Sequence, residues 1–234
     1  ITYGAGLFVA PAGKYYAWTS PDGATWTLRT INLSNPSAYD FNDIVYANSQ
    51  FVSCGGSRAA VSSDGITWTL YAVASTSATF YAILYQYSKY IIVGGGASTA
   101  SIDTSSDGIT WTSQTLSPLP STSRAITYDG TQVLVLGNSG STVTTTNATS
   151  WSVTTTSLGS LSCSAVGYSP SFYGARNSLF VVCGSAPGSG QNATILYSYD
   201  ALSWATGTIS GTSFNQNLVN IFSVVYSNGE FITN

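Results

Sequence analysis

One eight-residue pattern recurs along this chain and limits what it can fold into. Ser20-Pro21-Asp22-Gly23-Ala24-Thr25-Trp26-Thr27 returns as Ser62-Ser63-Asp64-Gly65-Ile66-Thr67-Trp68-Thr69 and as Ser105-Ser106-Asp107-Gly108-Ile109-Thr110-Trp111-Thr112. Looser copies stand at Thr145-Thr146-Asn147-Ala148-Thr149-Ser150-Trp151-Ser152 and Ser198-Tyr199-Asp200-Ala201-Leu202-Ser203-Trp204-Ala205. Their tryptophans are 42, 43, 40 and 53 residues apart. A period of about 40 residues means one supersecondary unit per repeat, each burying its apolar face on a neighbour.

A second register runs at the same period: an apolar segment ending in Tyr, a short turn, then another apolar segment closing near Gly or Ala. It reads Ile44-Val45-Tyr46 then Phe51-Val52-Ser53-Cys54-Gly55, and Ile83-Leu84-Tyr85 then Tyr90-Ile91-Ile92-Val93-Gly94. Further copies begin at Ile1, Ile126, Val166 and Val224. Each unit therefore predicts four short antiparallel strands, with the Asp-Gly of the octet turning the third into the fourth. The expected fold is all-β, a β-propeller of four-stranded blades, because blades of this size leave only short sheet edges. Five complete repeats and the first two strands of a sixth are present, which leaves the ring size open between five and seven: five blades would leave one strand pair redundant and six or seven would need further strands; an open stack of sheets is the alternative. Residues 1–234 are expected to form a single repeat domain. An Ile at position 1 and no Met anywhere lead us to expect a processed chain or an excerpt of a longer one.

Composition narrows the class of function. Only 6% of residues are charged, with a formal net charge of -3, and no stretch clusters Lys or Arg enough to neutralise phosphates, so a nucleic-acid partner is not expected. The longest apolar runs are strand-sized, and membrane insertion is not expected either. Ser, Thr, Asn and Gly must supply the polar surface, a usage that suits an extracellular or virion or cell-surface setting. Three cysteines and no histidine form no familiar metal spacing, so neither metal nor cofactor is expected.

The octets resemble the Asp-box, or BNR, repeat of sialidase-type propellers, in the short SxDGxTW form seen in bacterial and phage surface proteins. The resemblance covers nearly the whole chain. It implies that Asp22, Asp64, Asp107 and Asp200 accept turn amides at the periphery, with Asn147 substituting through its amide oxygen. It also implies that Trp26, Trp68, Trp111, Trp151 and Trp204 wedge between outer layers of the blades. The repeat itself carries no activity, since it recurs in enzymes, lectins, assembly factors and adhesins.

The sialidase chemistry implied by the most familiar relatives needs three arginines, a tyrosine nucleophile with a glutamate, and an aspartate. The four arginines here are Arg29, Arg58, Arg124 and Arg176, and the single glutamate is Glu230. Outside the octets the acids are Asp40, Asp43, Asp103, Asp129 and Glu230. Asp40 and Asp43 precede a first strand and read as turn residues; Asp129-Gly130 is a hairpin signal. Without histidine there is no Ser-His-acid relay, so the chain is not expected to be an enzyme; a divergent glycosidase would need a close carboxylate pair.

Binding is the leading expectation: a non-catalytic recognition module for a glycan or surface receptor. A structural or protein-docking propeller, with a partner protein or the remainder of its own chain as ligand, is the alternative. Tyr16 and Trp18 share one strand face while Tyr15 takes the other, so at least one aromatic there is core. The fifth repeat is the irregular one, spanning 36 residues from Tyr168 to Trp204 where the first needs 23 from Tyr3 to Trp26. Its Ser169–Ser178 loop offers Phe172, Tyr173 and Arg176 as ligand contacts, with Arg58 and Arg124 as further cations at related strand positions. Scattered surface charge is the competing account of the arginines. Cys163 and Cys183 fall at the start and end of paired strands, where either a disulfide or two buried thiols would fit. The Asn32, Asn147 and Asn192 sequons complete the inventory.

Overall fold

The computed structural model describes residues 1–14, 16–31, 40–96, 100–114, 116, 121–138, 140–156, 158–159, 161–170, 178–185, 193–207, 221 and 223–233. Its contacts divide into two compact units, Ile1–Gly96 with Ser101–Thr115, and Ala97–Ala100 with Leu116–Asn234. All regular structure among the described residues is β, and no helix is long and apolar enough to cross a membrane.

In the first unit, β1 (Thr2–Gly4), β2 (Leu7–Pro11), the two-residue β3 (Gly13–Lys14), β4 (Tyr16–Ser20) and β5 (Thr27–Thr30) are followed by β6 (Asp40–Phe41), which pairs with β3. The first sheet has the order β1-β2-β4-β5. β7 (Asp43–Ala47), β8 (Gln50–Gly55), β9 (Arg58–Ser62) and β10 (Thr69–Ala72) make the second sheet. β11 (Thr79–Gln86), β12 (Lys89–Gly95), β13 (Ala100–Ser105) and β14 (Thr112–Ser113) make the third.

The second unit repeats the pattern. β15 (Ser121–Tyr128), β16 (Val133–Asn138), β17 (Ser141–Thr145) and β18 (Ser152–Thr155) form the fourth sheet. β19 (Ser162–Ser169), β20 (Leu179–Ser185), β21 (Ala193–Ser198) and β22 (Ala205–Thr206) form the fifth, and β23 (Val224–Ser227) with β24 (Glu230–Thr233) is a two-stranded hairpin. Every described pairing is antiparallel, and within the five four-stranded sheets the strands pair in chain order, as the repeat predicts; the short β3–β6 pair lies outside that pattern.

Local chemistry sets these hairpins. Ala5-Gly6, Asn48-Ser49, Tyr87-Ser88 and Asn228-Gly229 all hold positive φ at both turn positions, the two-residue turn whose twist matches that of the strands it joins. The apolar second strands β8, β12, β16 and β20 are buried on both faces, so alternate residues feed two different interfaces. Val9 and Ala17 of the first sheet pack on Phe51, Ala60 and Trp68 of the second. Val52, Cys54 and Ala59 on the second sheet's other face pack on Phe80, Tyr90 and Trp111 of the third. Each fully buried side chain of this size contributes about 1.5–3 kcal/mol.

The glycine near the end of the second strand has a steric cause in the second, third and fifth sheets. A Cβ at Gly55 would collide with the Asp40 carbonyl, at Gly94 with that of Thr79, and at Gly184 with that of Ser162. The preceding strand crosses these positions at backbone contact distance, so no side chain fits.

The two cysteines of the fifth sheet are unbonded thiols, as is Cys54. A bulge between Cys163 and Ala165 sets Cys163 opposite Gly184 and moves Cys183 opposite Ala165. Facing residues share a side of the sheet, so the two sulfurs point to opposite faces. Cys163 packs with Leu134, Phe180 and Val182, whereas Cys183 packs with Val181, Ile221 and Val224. The disulfide is therefore not formed. Burial pushes the Cys163 thiol up to about 12 and the Cys183 thiol up to about 11.

Candidate functional site

The octets build one turn five times over. Asp64 Oδ1 accepts the amides of Ile66 at 2.8 Å and Thr67 at 2.7 Å. Ser62 Oγ donates to the same oxygen at 2.9 Å and accepts the Gly65 amide at 2.8 Å. Trp68 Nε1 closes the loop on the Gly65 carbonyl at 3.2 Å. Asp22 and Asp107 repeat this set of bonds, and Asp200 accepts Leu202 and Ser203 amides.

The fourth octet keeps the geometry with different chemistry: Asn147 Oδ1 accepts Thr149 and Ser150 amides, both at 2.8 Å, and Thr145 Oγ1 accepts Ala148 N at 2.9 Å. Ala148 and Ala201 occupy the glycine position at φ 52° and 60°. The amide of Thr25, with that of Ala24, draws Asp22 down to about 2; the Ser203 and Leu202 amides do the same for Asp200, also to about 2. Asp107 is lowered by the Thr110 and Ile109 amides. At Asp64 partial burial pushes upward but is outweighed by the Thr67 and Ile66 amides. Trp68 and Trp111 are buried between sheets, Trp204 packs on Phe180, and Trp26 and Trp151 are half-buried.

Two further carboxylates do work that the sequence pattern did not disclose. Asp43, at the start of β7, accepts its neighbour's amide at Ile44 and reaches across to the Ile83 amide of the third sheet at 3.0 Å. Asn42 beside it donates to the Phe80 carbonyl at 2.6 Å, so the second and third sheets are pinned at the bulge in β11. Burial raises the Asp43 carboxyl above its ordinary range, with the two amides opposing that shift. Asp103, fully buried on β13, holds the loop between those sheets by accepting Ser75 N at 2.8 Å and Ser75 Oγ at 2.7 Å. From the sequence Asp43 reads as a turn residue before a first strand and Asp103 only as an acid outside the octets. The signal available was their placement at strand starts and ends, where a carboxylate can meet a neighbouring sheet's amide.

Of the expected ligand residues, Phe172, Tyr173 and Arg176 lie outside the described residues, as do Asn32 and Asn192 of the sequons. Arg58 opens β9, half-buried, in the first unit; Arg124 is exposed on β15, beside its bulges, in the second.

The open surface that does stand out is on the first sheet. Val9, Ala17 and Thr19 face the core, which turns Phe8, Ala10, Tyr16, Trp18 and Leu28 to the other side. Trp18 keeps 40% of its surface exposed and Leu28, directly opposite on β5, keeps 46%. A shallow depression of about 360 Å³ is lined by Ile1, Ala10, Trp18 and Trp26. Alternation along β4 carried this signal: the small residues Ala17 and Thr19 fit the tight junction, and the large aromatics Tyr16 and Trp18 must then face away from it.

No known family profile matches the sequence, and no curated protein matches it. Solved structures do. YCF48 bound to a D1 peptide superposes with a TM-score of 0.63 at 15% identity, covering 96% of this chain and 70% of that one. Virginiamycin B lyase from Staphylococcus aureus gives 0.67 at 12% identity over 94% of this chain and 71% of that one. An ancestral GH74 enzyme gives 0.71 at 12% identity over 95% of this chain, which spans only 31% of the enzyme. The shared fold is the β-propeller. At these identities the likeness is one of fold, and the repeating sheets of this chain are propeller blades.

Proposed function

We propose that this chain is a non-catalytic docking propeller that engages a protein partner through the uncovered face of its first blade, in an extracellular or virion-surface assembly. The observation that carries this reading is the chemistry of the depression beside Trp18. Ile1, Ala10, Trp18 and Trp26 present ring and methyl surface with no hydroxyl, carboxamide or charged side chain. A sugar stacked on an indole still has hydroxyl groups whose hydrogen bonds must be replaced on binding. An apolar protein surface asks for no such partners. A contiguous exposed apolar face of this kind marks an interaction site.

The acids are better explained as structure than as catalysts. The octet carboxylates, read as Asp boxes, spend their oxygens on turn amides, and Asp43 and Asp103 spend theirs on amides of adjacent segments. The YCF48 structure, a propeller holding a D1 peptide, supports peptide capture as something the fold accommodates.

The test is selection of a displayed random-peptide library on the folded chain, with counter-selection on Trp18→Asp and a glycan array run alongside. Extended apolar peptides bound roughly tenfold more weakly by Trp18→Asp are expected. Saturable binding of a related set of sugars, unchanged in Trp18→Asp, would overturn the proposal.

A further inference from the structure

We infer that Asn228 is a site of spontaneous covalent modification in the folded chain, and that the octets suppress the same reaction at their own Asp-Gly pairs. Neither statement depends on the docking reading above.

An Asn or Asp followed by Gly is open to attack by the next backbone nitrogen on its own side chain, because glycine has no Cβ to hinder the approach. The Gly nitrogen bonds to Cγ and gives up its proton. From Asn the Cγ–Nδ2 bond breaks and ammonia leaves with that proton, closing a succinimide ring. Water then opens the ring at either carbonyl. Opening at Cγ leaves an Asp; opening at the main-chain carbonyl leaves an isoaspartate, in which the backbone runs through Cγ and is one carbon longer. From Asp the group that leaves is water, so the carboxyl must first be protonated. In both cases the Gly nitrogen must be unengaged and the side chain able to swing toward it.

The chain has five such pairs: Asp22-Gly23, Asp64-Gly65, Asp107-Gly108, Asp129-Gly130 and Asn228-Gly229. In the three octets the Gly amide donates to Ser20, Ser62 or Ser105 Oγ, each at 2.8 Å. The Asp side chain is fixed at the same time by amides two and three residues on. The Thr25 and Ala24 amides lower Asp22 and the Thr110 and Ile109 amides lower Asp107, which keeps these carboxyls ionised and without a leaving group. Asp129 Oδ1 is held by Thr131 N at 2.8 Å and by Thr131 Oγ1 and Gln132 N, both at 2.7 Å. Asn147 of the fourth octet is followed by Ala148, whose amide is bound by Thr145 Oγ1 at 2.9 Å.

Asn228 differs on every count. It is exposed at the tip of the β23–β24 turn, and a Cβ on Gly229 would meet nothing within 4 Å. Among the described residues no hydrogen bond holds the Asn228 carboxamide or the Gly229 amide. Its leaving group, ammonia, needs no protonated carboxyl. The product adds one negative charge to a chain of formal net charge -3. Isoaspartate also lengthens a two-residue turn that sets Ser227 opposite Glu230, so the hairpin register slackens.

The purified chain, folded or in urea, is aged at mildly alkaline pH and its peptides are mapped by mass spectrometry, with isoaspartate marked by an isoaspartyl methyltransferase. Asn228 should convert in the folded chain at a rate within about tenfold of its rate in urea, whereas the three octet aspartates, which react only through local opening, should be slowed roughly a hundredfold or more by folding. An Asn228 that converts in urea but not in the folded chain overturns its assignment, and octet aspartates that isomerise equally fast in both overturn the suppression. Ser62→Ala, shown to be folded by circular dichroism, frees the Gly65 nitrogen and should raise isomerisation at Asp64 by at least about tenfold while Asp22 and Asp107 stay as in wild type. No rise at Asp64 overturns the role given to the serine. Ser20→Ala, read at Asp22, takes its place if Ser62→Ala does not fold.

Discussion

Replacing Ser62 with alanine tests how the octets hold the blades together. Ser62 is 3% exposed, and its hydroxyl oxygen is the only described acceptor for the buried Gly65 amide, at 2.8 Å. It also takes the Asp64 amide at 3.3 Å and donates to Asp64 Oδ1 at 2.9 Å. Removing the oxygen strands the Gly65 N–H away from water, at about 1–3 kcal/mol. The lost bond to Asp64 adds less than a buried charged pair would, because that carboxylate is largely exposed and keeps its two amides. The sum is about 2–3 kcal/mol. With a urea slope of roughly 1–3 kcal/mol per molar, the unfolding midpoint followed by tryptophan fluorescence should fall by about 1 M at unchanged slope. Ser62→Thr is the control, since Thr145 performs the same task in the fourth octet, and it should stay within about 0.5 M of wild type. Equal midpoints for Ser62→Ala and wild type would refute the reasoning, as would equal losses in the alanine and threonine variants.

Four further outcomes are expected. The lowered octet aspartates contribute stability that is complete above their unfolded value of 3.8 and is lost as pH falls through their folded values, about 2 at Asp22 and Asp200; acid titration of the unfolding midpoint should therefore drop between those limits, and less steeply in a chain carrying Asp22→Asn and Asp200→Asn. Asp43, raised by burial, has the opposite sign: its contribution is complete below the unfolded value and is lost as pH rises through the folded one. The stability of Asp43→Asn relative to wild type should accordingly improve as pH rises above the ordinary carboxylate value of about 4, and a flat difference would contradict it. Gly55→Ala should cost about 3 kcal/mol or prevent folding, because its methyl would meet the Asp40 and Phe41 backbone; a midpoint near wild type would show that β6 can give way. All three thiols should resist alkylation in the folded chain and react fully in urea without reductant.

The repeat was legible because it is dictated by local requirements. Two-residue turns, an Asp that reaches amides two and three residues on, and a Trp that returns to the Gly carbonyl all act within eight residues, so spacing alone locates them. Cys163 and Cys183 show where that kind of reading stops. Their positions at the ends of paired strands suggested a common face, but one extra residue in β19 reversed the side on which Cys163 lies. A bulge leaves no mark in composition, and a single-residue slip exchanges the faces of everything before it. Asp43 was hidden for a related reason. Its partner, the Ile83 amide, is 40 residues away and is available only because β11 bulges between Phe80 and Ala82. The exposed face of the first blade was half legible: alternation put Tyr16 and Trp18 on one side, but nothing in the sequence said which side would be covered.

That contrast bears on where recognition can reside in a chain of this kind. The octet residues recur because each blade needs the same turn, so they are spent on folding and distinguish no blade from another. Specific recognition has to use positions at which the blades differ. Trp18 is such a position, since its counterpart in the second blade is an alanine with no exposed surface, and Ala10 is another, opposite a serine at position 53 whose hydroxyl bonds the Asp43 carbonyl at 2.8 Å. At both sites the first blade exchanges a residue suited to a tight internal contact for one that enlarges an apolar surface. A first blade built only to fold would have no use for Trp18 at a position that alanine fills completely one repeat later. Forty per cent of that indole remains open to solvent, at a cost in hydrophobic free energy that a bound partner would recover.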